Sequence, residues 1–304
     1  MSEFAFELKP AKKDSVPPLI GLWGRSGSGK TYSAILLARG LVGPKGKIAV
    51  IDTENCRAKF YSDLAGGWEH LDMQPPFSPE KYSAAFKFCE AQGAKVIVVD
   101  SMSHVWENVL ESAETAVTSS GKAMQGLAKW KAPKIAHKRM MNDLIRSAIP
   151  VIFCIRAKEA SKQVGSGSDM KIVQLGWQPI TERNFPYEMT VDLNMTKDGH
   201  YDLNASKTVP EALRGVIKEG GVVDINMGAA IAEWAGSGAP VDPEVVKLKH
   251  DGHEAALGGV ATYTVWGKAL TADQKAKVKH LLAGWLAEAK EADSNKPTTE
   301  EGVV

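Results

Sequence analysis

The chain has 304 residues and a formal net charge of +1, so its overall electrostatics favour neither a nucleic acid nor a membrane surface, and a charged partner has to be met by local clusters. With 44% hydrophobic and 24% charged residues, it has the composition of a globular protein long enough for one core of ordinary size plus a small appendage. No apolar run approaches the roughly 18 residues of a membrane span, and the N-terminal residues lack a signal-peptide pattern. Three dispersed cysteines, Cys56, Cys89 and Cys154, show no metal spacing and fit a reducing compartment, so a cytoplasmic location without membrane association is expected.

Residues 1–17 read as a polar extension with one alternating patch, Phe4 to Leu8, that ends at Pro17-Pro18. From 18 to 236 the pattern is strand, loop, helix, repeated. Short apolar runs at Leu19–Trp23, Ile48–Asp52, Val96–Asp100 and Val151–Ile155 read as buried strands. Helical periodicity lies between them, around 31–42, 79–92, 104–117 and 127–148. Continuous apolar strands alternating with helices imply an α/β fold, a mostly parallel sheet covered on both faces. Segments near 172–178, 188–196 and 200–206 read as an antiparallel extension, with Asp198-Gly199 as a hairpin turn. Residues 237–242, rich in Gly, Ser and Pro, read as a linker. Beyond it, helical stretches at 243–257 and 272–292 form a small helical unit, and 293–304 read as a disordered tail.

The strongest motif is Gly24-Arg25-Ser26-Gly27-Ser28-Gly29-Lys30-Thr31, which fits GxxxxGK[ST] at every fixed position, between a buried strand and an apolar-periodic helix. Its glycines let backbone N–H groups converge on a β-phosphate at a helix N-terminus. Lys30 is expected to neutralise the β- and γ-phosphates, Thr31 to ligate Mg²⁺, and Tyr32 to complete the nucleotide contact; ATP and Mg²⁺ are the expected ligands. The metal's other partner is expected at the end of a neighbouring strand, and Val96-Ile97-Val98-Val99-Asp100 supplies an aspartate there. The alternative is that Asp100 or Ser101 caps the following helix. A base for hydrolysis is expected at Glu54, just past the strand ending in Asp52; alternatively Asp52 or Glu54 pairs with Arg57 or Lys59 on the surface.

Taken together, Gly24–Thr31, Asp52-Thr53-Glu54 and Val98-Val99-Asp100-Ser101 resemble the RecA-like recombinase family, and the size resembles the short RecA-like ATPases of bacteriophages that act in single-strand annealing. The resemblance covers about residues 19–220. It implies a P-loop ATPase with Lys30, Glu54 and Asp100 as catalytic residues, and a homo-oligomer with ATP at a subunit interface. It implies further that the residue after the fourth strand senses the γ-phosphate; here that residue is Arg156, where the family typically has glutamine. Lys207 falls near where such proteins present a basic residue to a neighbouring subunit's ATP, and a surface lysine is the alternative.

Two segments would then meet single-stranded DNA. From 122 to 146 there are seven Lys or Arg, among them Lys122, Lys129, Lys131 and Lys134, against one acid, Asp143. Trp130 lies among them, which suits backbone phosphates plus base stacking. The second segment, 158–168 with Lys158 and Lys162, reads as a flexible loop after a core strand. Charge runs are also simply solvated surface. The leading expectation is a phage-type ATPase acting on single-stranded DNA in recombination, annealing or replication; the alternative is a switch or motor ATPase acting on a protein. His250 and His253 have one-face helical spacing but no third ligand nearby, and read as a solvent-facing pair. Trp266 and Trp285 are expected in the core of the helical unit.

Overall fold

The computed structural model describes residues 15–118, 120–164, 170–206, 208–236 and 243–294. The expectations placed on 1–14, 165–169, Lys207, 237–242 and 295–304 lie outside these. The chain divides after Ser237 into two compact units, each taken by itself below.

Among the described residues, the first unit is built on eight strands. In chain order they are β1 (Leu19–Gly24), β2 (Ile48–Asp52), β3 (Glu69–Asp72), β4 (Val96–Asp100), β5 (Val151–Val164), β6 (Lys171–Pro179), β7 (Val191–Met195) and β8 (Tyr201–Asp202). The sheet order is β3-β2-β4-β5-β1-β7-β8, and β6, off this path, pairs with β5. Every residue of β1, β2 and β4, and the first five of β5, is buried. That is why these strands carry continuous apolar runs instead of alternation. The strands from β3 to β7 pair in parallel. Strand β3 has the polar sequence Glu69-His70-Leu71-Asp72 at a sheet edge, and carries no apolar signal by which to predict it.

Helices cover both faces. Helices α1 (Lys30–Val42) and α5 (Ile225–Gly236) pack on the face that includes Ile20, Leu22, Val50, Val98 and Ile152. Helices α2 (Pro79–Ala91), α3 (Ser103–Glu114) and α4 (Lys131–Ile145) cover the face with Trp23, Ile51, Val99 and Phe153. Burial on both faces, at about 25 cal/mol per Å² of apolar surface, is the main force holding these layers.

Two expectations for the later segments need correction. The segment near 172–178 is antiparallel as expected, in β6, but residues 191–195 pair in parallel with β1, from Ile20↔Val191 to Gly24↔Met195; β8 then returns antiparallel to β7, through a turn in which Asp198 and Gly199 have φ of 52° and 82°. Residues 158–164 are not a loop. They continue β5 beyond the sheet and pair antiparallel with β6 from Ala157↔Pro179 to Val164↔Lys171. The lack of apolar alternation that hides this strand comes from its exposure on both faces.

Among its described residues the second unit has three helices where two were expected: α6 (Pro243–Leu257), α7 (Val260–Ala269) and α8 (Ala272–Ser294). Val-Ala-Thr-Tyr-Thr-Val-Trp-Gly, rich in β-branched residues, hides α7 from a propensity reading. Helix α8 also carries residues 293 and 294, assigned from sequence to the tail. As expected, Trp285 is buried, with Trp266 packed edge-on at 5.6 Å. His253 is also buried, and its Nδ1 lies 2.8 Å from Glu288 Oε2 on α8. The solvent-facing reading fails for this residue because α6 turns it toward α8.

Candidate active site

The phosphate loop joins β1 to α1 and sits at the C-terminal ends of the parallel strands, where α/β sheets place ligands. Glycine is required at 24 because a Cβ there would lie 2.2 Å from Met195 O. At 29 the backbone is left-handed (φ 87°) and a Cβ would meet Gly199 N at 2.9 Å. The β7–β8 turn therefore braces the loop from behind, and Gly199 N–H donates to Ser28 O at 3.3 Å. On the loop's other side Gly27, at φ 79°, faces open space. Arg25 and Ser26 are exposed, whereas Ser28 and Lys30 are buried.

Lys30 Nζ donates to Gly24 O at 3.0 Å and to Arg25 O at 2.8 Å. Burial pulls its pKa down, while Cys154, Asp100 and Glu54 pull it up. Thr31 Oγ1 donates to Asp100 Oδ2 at 2.5 Å. Asp100 is buried, and burial pushes its pKa up to about 6 despite the hydrogen bond from Thr31. A hydroxyl and a carboxylate side by side form the hard-oxygen donor set that suits Mg²⁺, and a buried carboxylate with a raised pKa is one that a cation would stabilise. The residues present therefore fit the metal. Asp100 does not cap α3: the N-cap position is Met102, and Ser103 N–H is held by Ser101 Oγ.

Strand pairing sets Asp52 directly opposite Asp100. Asp52 is fully buried and accepts from Glu54 N–H at 2.7 Å and Ala58 N–H at 3.0 Å, with His70 Nε2 at 3.2 Å. Its role is to shape the turn that presents Glu54. The expected alternative pairing with Arg57 or Lys59 does not form. Instead Glu54 Oε1 lies 3.7 Å from His104 Nε2 and 4.0 Å from Arg156 Nε. Arg156 stands at the end of the buried part of β5, beside Gly24 in register, and its Nη1 is also 3.8 Å from Glu107 Oε1.

His104, which sequence reading passed over, sits inside this group. Its ring stacks on Phe77 at 4.9 Å, Nδ1 is 2.7 Å from Thr53 Oγ1 and Nε2 is 3.1 Å from Arg156 Nη1. The signal that could have found it is spacing. A residue four past Asp100, in the first turn of the helix leaving β4, lies over the strand end. Beside Thr31, Tyr32 meets Tyr61 edge-on at 5.8 Å, and both rings are partly exposed. They offer an aromatic face next to the phosphate loop.

Lys122 is in the loop after α3. Lys129 and Trp130 form a short 3-10 turn, and Lys131 and Lys134 begin α4. The Nζ atoms of Lys129 and Lys134 lie 5.8 and 5.6 Å from the Trp130 ring. On the ribbon of β5 and β6, alternation puts Lys158, Lys162 and Lys171 on one face, and Glu159, Ile172 and Trp177 on the other.

Phosphate loop, strand-end acids and helix-flanked parallel sheet make this a RecA-like P-loop fold. Among solved structures, the flagellar accessory protein FlaH from Methanocaldococcus jannaschii matches at 14% identity, over 53% of this chain and 80% of that one, with a TM-score of 0.27. An ATPase from the type III secretion system of pathogenic bacteria matches at 13% identity, over 94% of this chain and 84% of that one, with a TM-score of 0.37. No curated protein matches the chain. Among the described residues no helix is long and apolar enough to cross a membrane. Residues 17–211 match the AAA domain family over well more than half of the chain, and the chain belongs to that family of P-loop ATPases.

Proposed function

We propose that the chain hydrolyses Mg–ATP and uses the cycle to act on single-stranded DNA. The observation that carries the first half is convergence. Lys30 and Thr31 at the start of α1, Glu54 just past β2 and Asp100 at the end of β4 gather at one end of the sheet, with Thr31 Oγ1 and Asp100 Oδ2 2.5 Å apart. In this reading the loop N–H groups and Lys30 bind the phosphates, while Thr31 and Asp100 hold Mg²⁺, which supplies charge neutralisation at the transferring phosphoryl group. Glu54 orients and deprotonates the attacking water, and the Tyr32–Tyr61 pair stacks the base.

The DNA half rests on local charge. Residues 122–146 carry seven cations against one acid, and two of the cations, Lys129 and Lys134, flank the Trp130 ring; the ribbon presents Lys158, Lys162 and Lys171 from one face. Cations track phosphates and aromatic rings stack bases. A second reading, a switch or motor acting on a protein, is favoured by the ribbon's other apolar residues: Ile172 and Leu175 are 67% and 48% exposed. ATPase assays with and without single-stranded DNA separate the two. Stimulation or inhibition by DNA supports the first, and turnover indifferent to DNA, with no oligonucleotide bound at low salt, overturns it.

A further inference from the structure

We propose that His104 is a positioning residue for hydrolysis, holding Arg156 and the Thr53–Glu54 turn in register with each other. This rests on reading Glu54 as the base. The hydrogen bonds fix the state of the ring. Arg156 Nη1 has only protons to offer, so Nε2, 3.1 Å away, accepts. The proton then sits on Nδ1, which donates to Thr53 Oγ1 at 2.7 Å. Thr53 Oγ1 can take it, because its other lone pair accepts Ser101 N–H at 2.7 Å and its own proton points to Ser101 O at 3.3 Å. Every donor and acceptor of the imidazole and of the Thr53 hydroxyl is used.

The consequence is geometric. Thr53 ties the base-bearing turn of β2 to the strand end that carries Asp100, and its own N–H donates to Asp100 O at 2.7 Å. His104 extends the tie to β5 through Arg156. Arg156 in turn lies between two carboxylates, Glu54 at 4.0 Å and Glu107 at 3.8 Å, and its side chain is 45% exposed. Ion pairs at such distances and exposure hold a long side chain loosely. The shorter bond to His104 is what fixes the guanidinium, and the stack on Phe77 fixes His104. A base displaced by about 1 Å loses on the order of 100-fold in rate, so small errors in this chain of contacts matter.

The test uses three variants of the full chain. In His104→Asn the amide reaches Thr53 but leaves Arg156 without an acceptor. In His104→Gln the side-chain oxygen reaches the Nε2 position and accepts from Arg156. His104→Phe keeps the stack on Phe77 and loses both nitrogens, which covers the case in which the Asn variant fails to fold. Steady-state hydrolysis is measured beside binding of a fluorescent ATP analogue. The Asn and Phe variants should lose on the order of 100-fold in kcat, with KM and analogue binding changed by less than about threefold, and Gln should recover at least about tenfold of that loss. Adding Arg156→Ala to His104→Asn should cost little more, because the two act as one unit.

Asn and Phe variants with kcat within about twofold of the parent would overturn the proposal. So would losses that multiply with Arg156→Ala, or equal losses in all three variants accompanied by weaker analogue binding, which mark packing alone. Glu54→Gln run in parallel separates the two levels. If it turns over normally, the base assignment falls; if it is slow while the His104 variants are normal, only the present inference falls.

Discussion

Asp100→Asn should make the protein more stable and less able to bind Mg–ATP, and the size of the first effect follows from the structure. Burial raises the Asp100 pKa from 3.8 to about 6, roughly two units, which at about 1.4 kcal/mol per unit makes the ionised carboxylate cost the fold on the order of 3 kcal/mol. Because this acid's folded pKa is raised, the cost is full above about pH 6 and fades as pH falls from there toward 4. Wild-type stability should therefore rise on acidification across that window, as far as this group contributes. Asparagine keeps the acceptor for Thr31 Oγ1 and carries no charge, so the variant should gain up to about 3 kcal/mol at pH 8, less about 1 kcal/mol if the new amide N–H₂ is buried unpaired. Urea denaturation in EDTA at pH 8 and pH 4.5 measures it, with a gain at pH 8 that shrinks at pH 4.5. A variant that is equally destabilised at both pH values would refute the argument, since the carboxylate would then be contributing to the fold through its contacts and not straining it through its charge. With Mg²⁺ and an ATP analogue present the ranking should invert, because the cation that rewards the buried charge is lost with it.

Lys30→Ala should abolish measurable ATP hydrolysis, read as phosphate release; turnover near wild type would remove the phosphate-loop assignment. Glu54→Gln should retain nucleotide binding and lose about 10²–10⁴ in kcat, the range of a positioned general base. Lys129, Lys131 and Lys134 changed together to alanine should flatten the log–log salt dependence of single-stranded DNA binding by roughly 2, at about 0.7 per phosphate contact. An unchanged slope in a variant that folds and hydrolyses ATP would take this segment out of the DNA site. Trp130→Ala should weaken the same binding by ~1–3 kcal/mol while leaving the slope in place, if a base stacks there.

The parts of the site that were legible in the sequence are those a single strand can announce. A buried run that ends in an acid, such as Ile48–Asp52 or Val96–Asp100, shows both the strand and where it leaves the core. The phosphate loop is announced by glycines whose absence of a side chain is enforced, at 24 and 29, by a hairpin some 170 residues away in the chain, but the motif itself is local. What a single strand cannot announce is its neighbour. That Asp52 lies opposite Asp100, and that its carboxylate anchors the Glu54 turn instead of pairing with Arg57 or Lys59, shows only in the folded chain. His104 was missed for the same reason: its ring is given meaning by Thr53, Phe77 and Arg156, from three other segments. His253 was misread because a spacing rule sees only its own helix, and Glu288 is on another.

The ribbon shows the limit from the other side. Lys158–Val164 has neither a buried face nor clean alternation, so nothing local marks it as a strand; its order comes from the ladder with β6. Yet the same strand, followed backwards, is the most buried in the sheet, and one residue separates the two regimes. Arg156 still pairs with Gly24 in the parallel sheet, and Ala157 already pairs with Pro179 in the ribbon. The guanidinium beside Glu54 therefore hangs from the last sheet residue before an exposed arm that carries Lys158 and Lys162. Coupling between distant sites needs a contiguous element that both sites can bias, and β5 meets the first condition, being continuous in its backbone from the phosphate loop's neighbour to the arm. An ATP cycle that moved Arg156 would act on the root of the arm directly, without a relay of side-chain contacts through the rest of the unit.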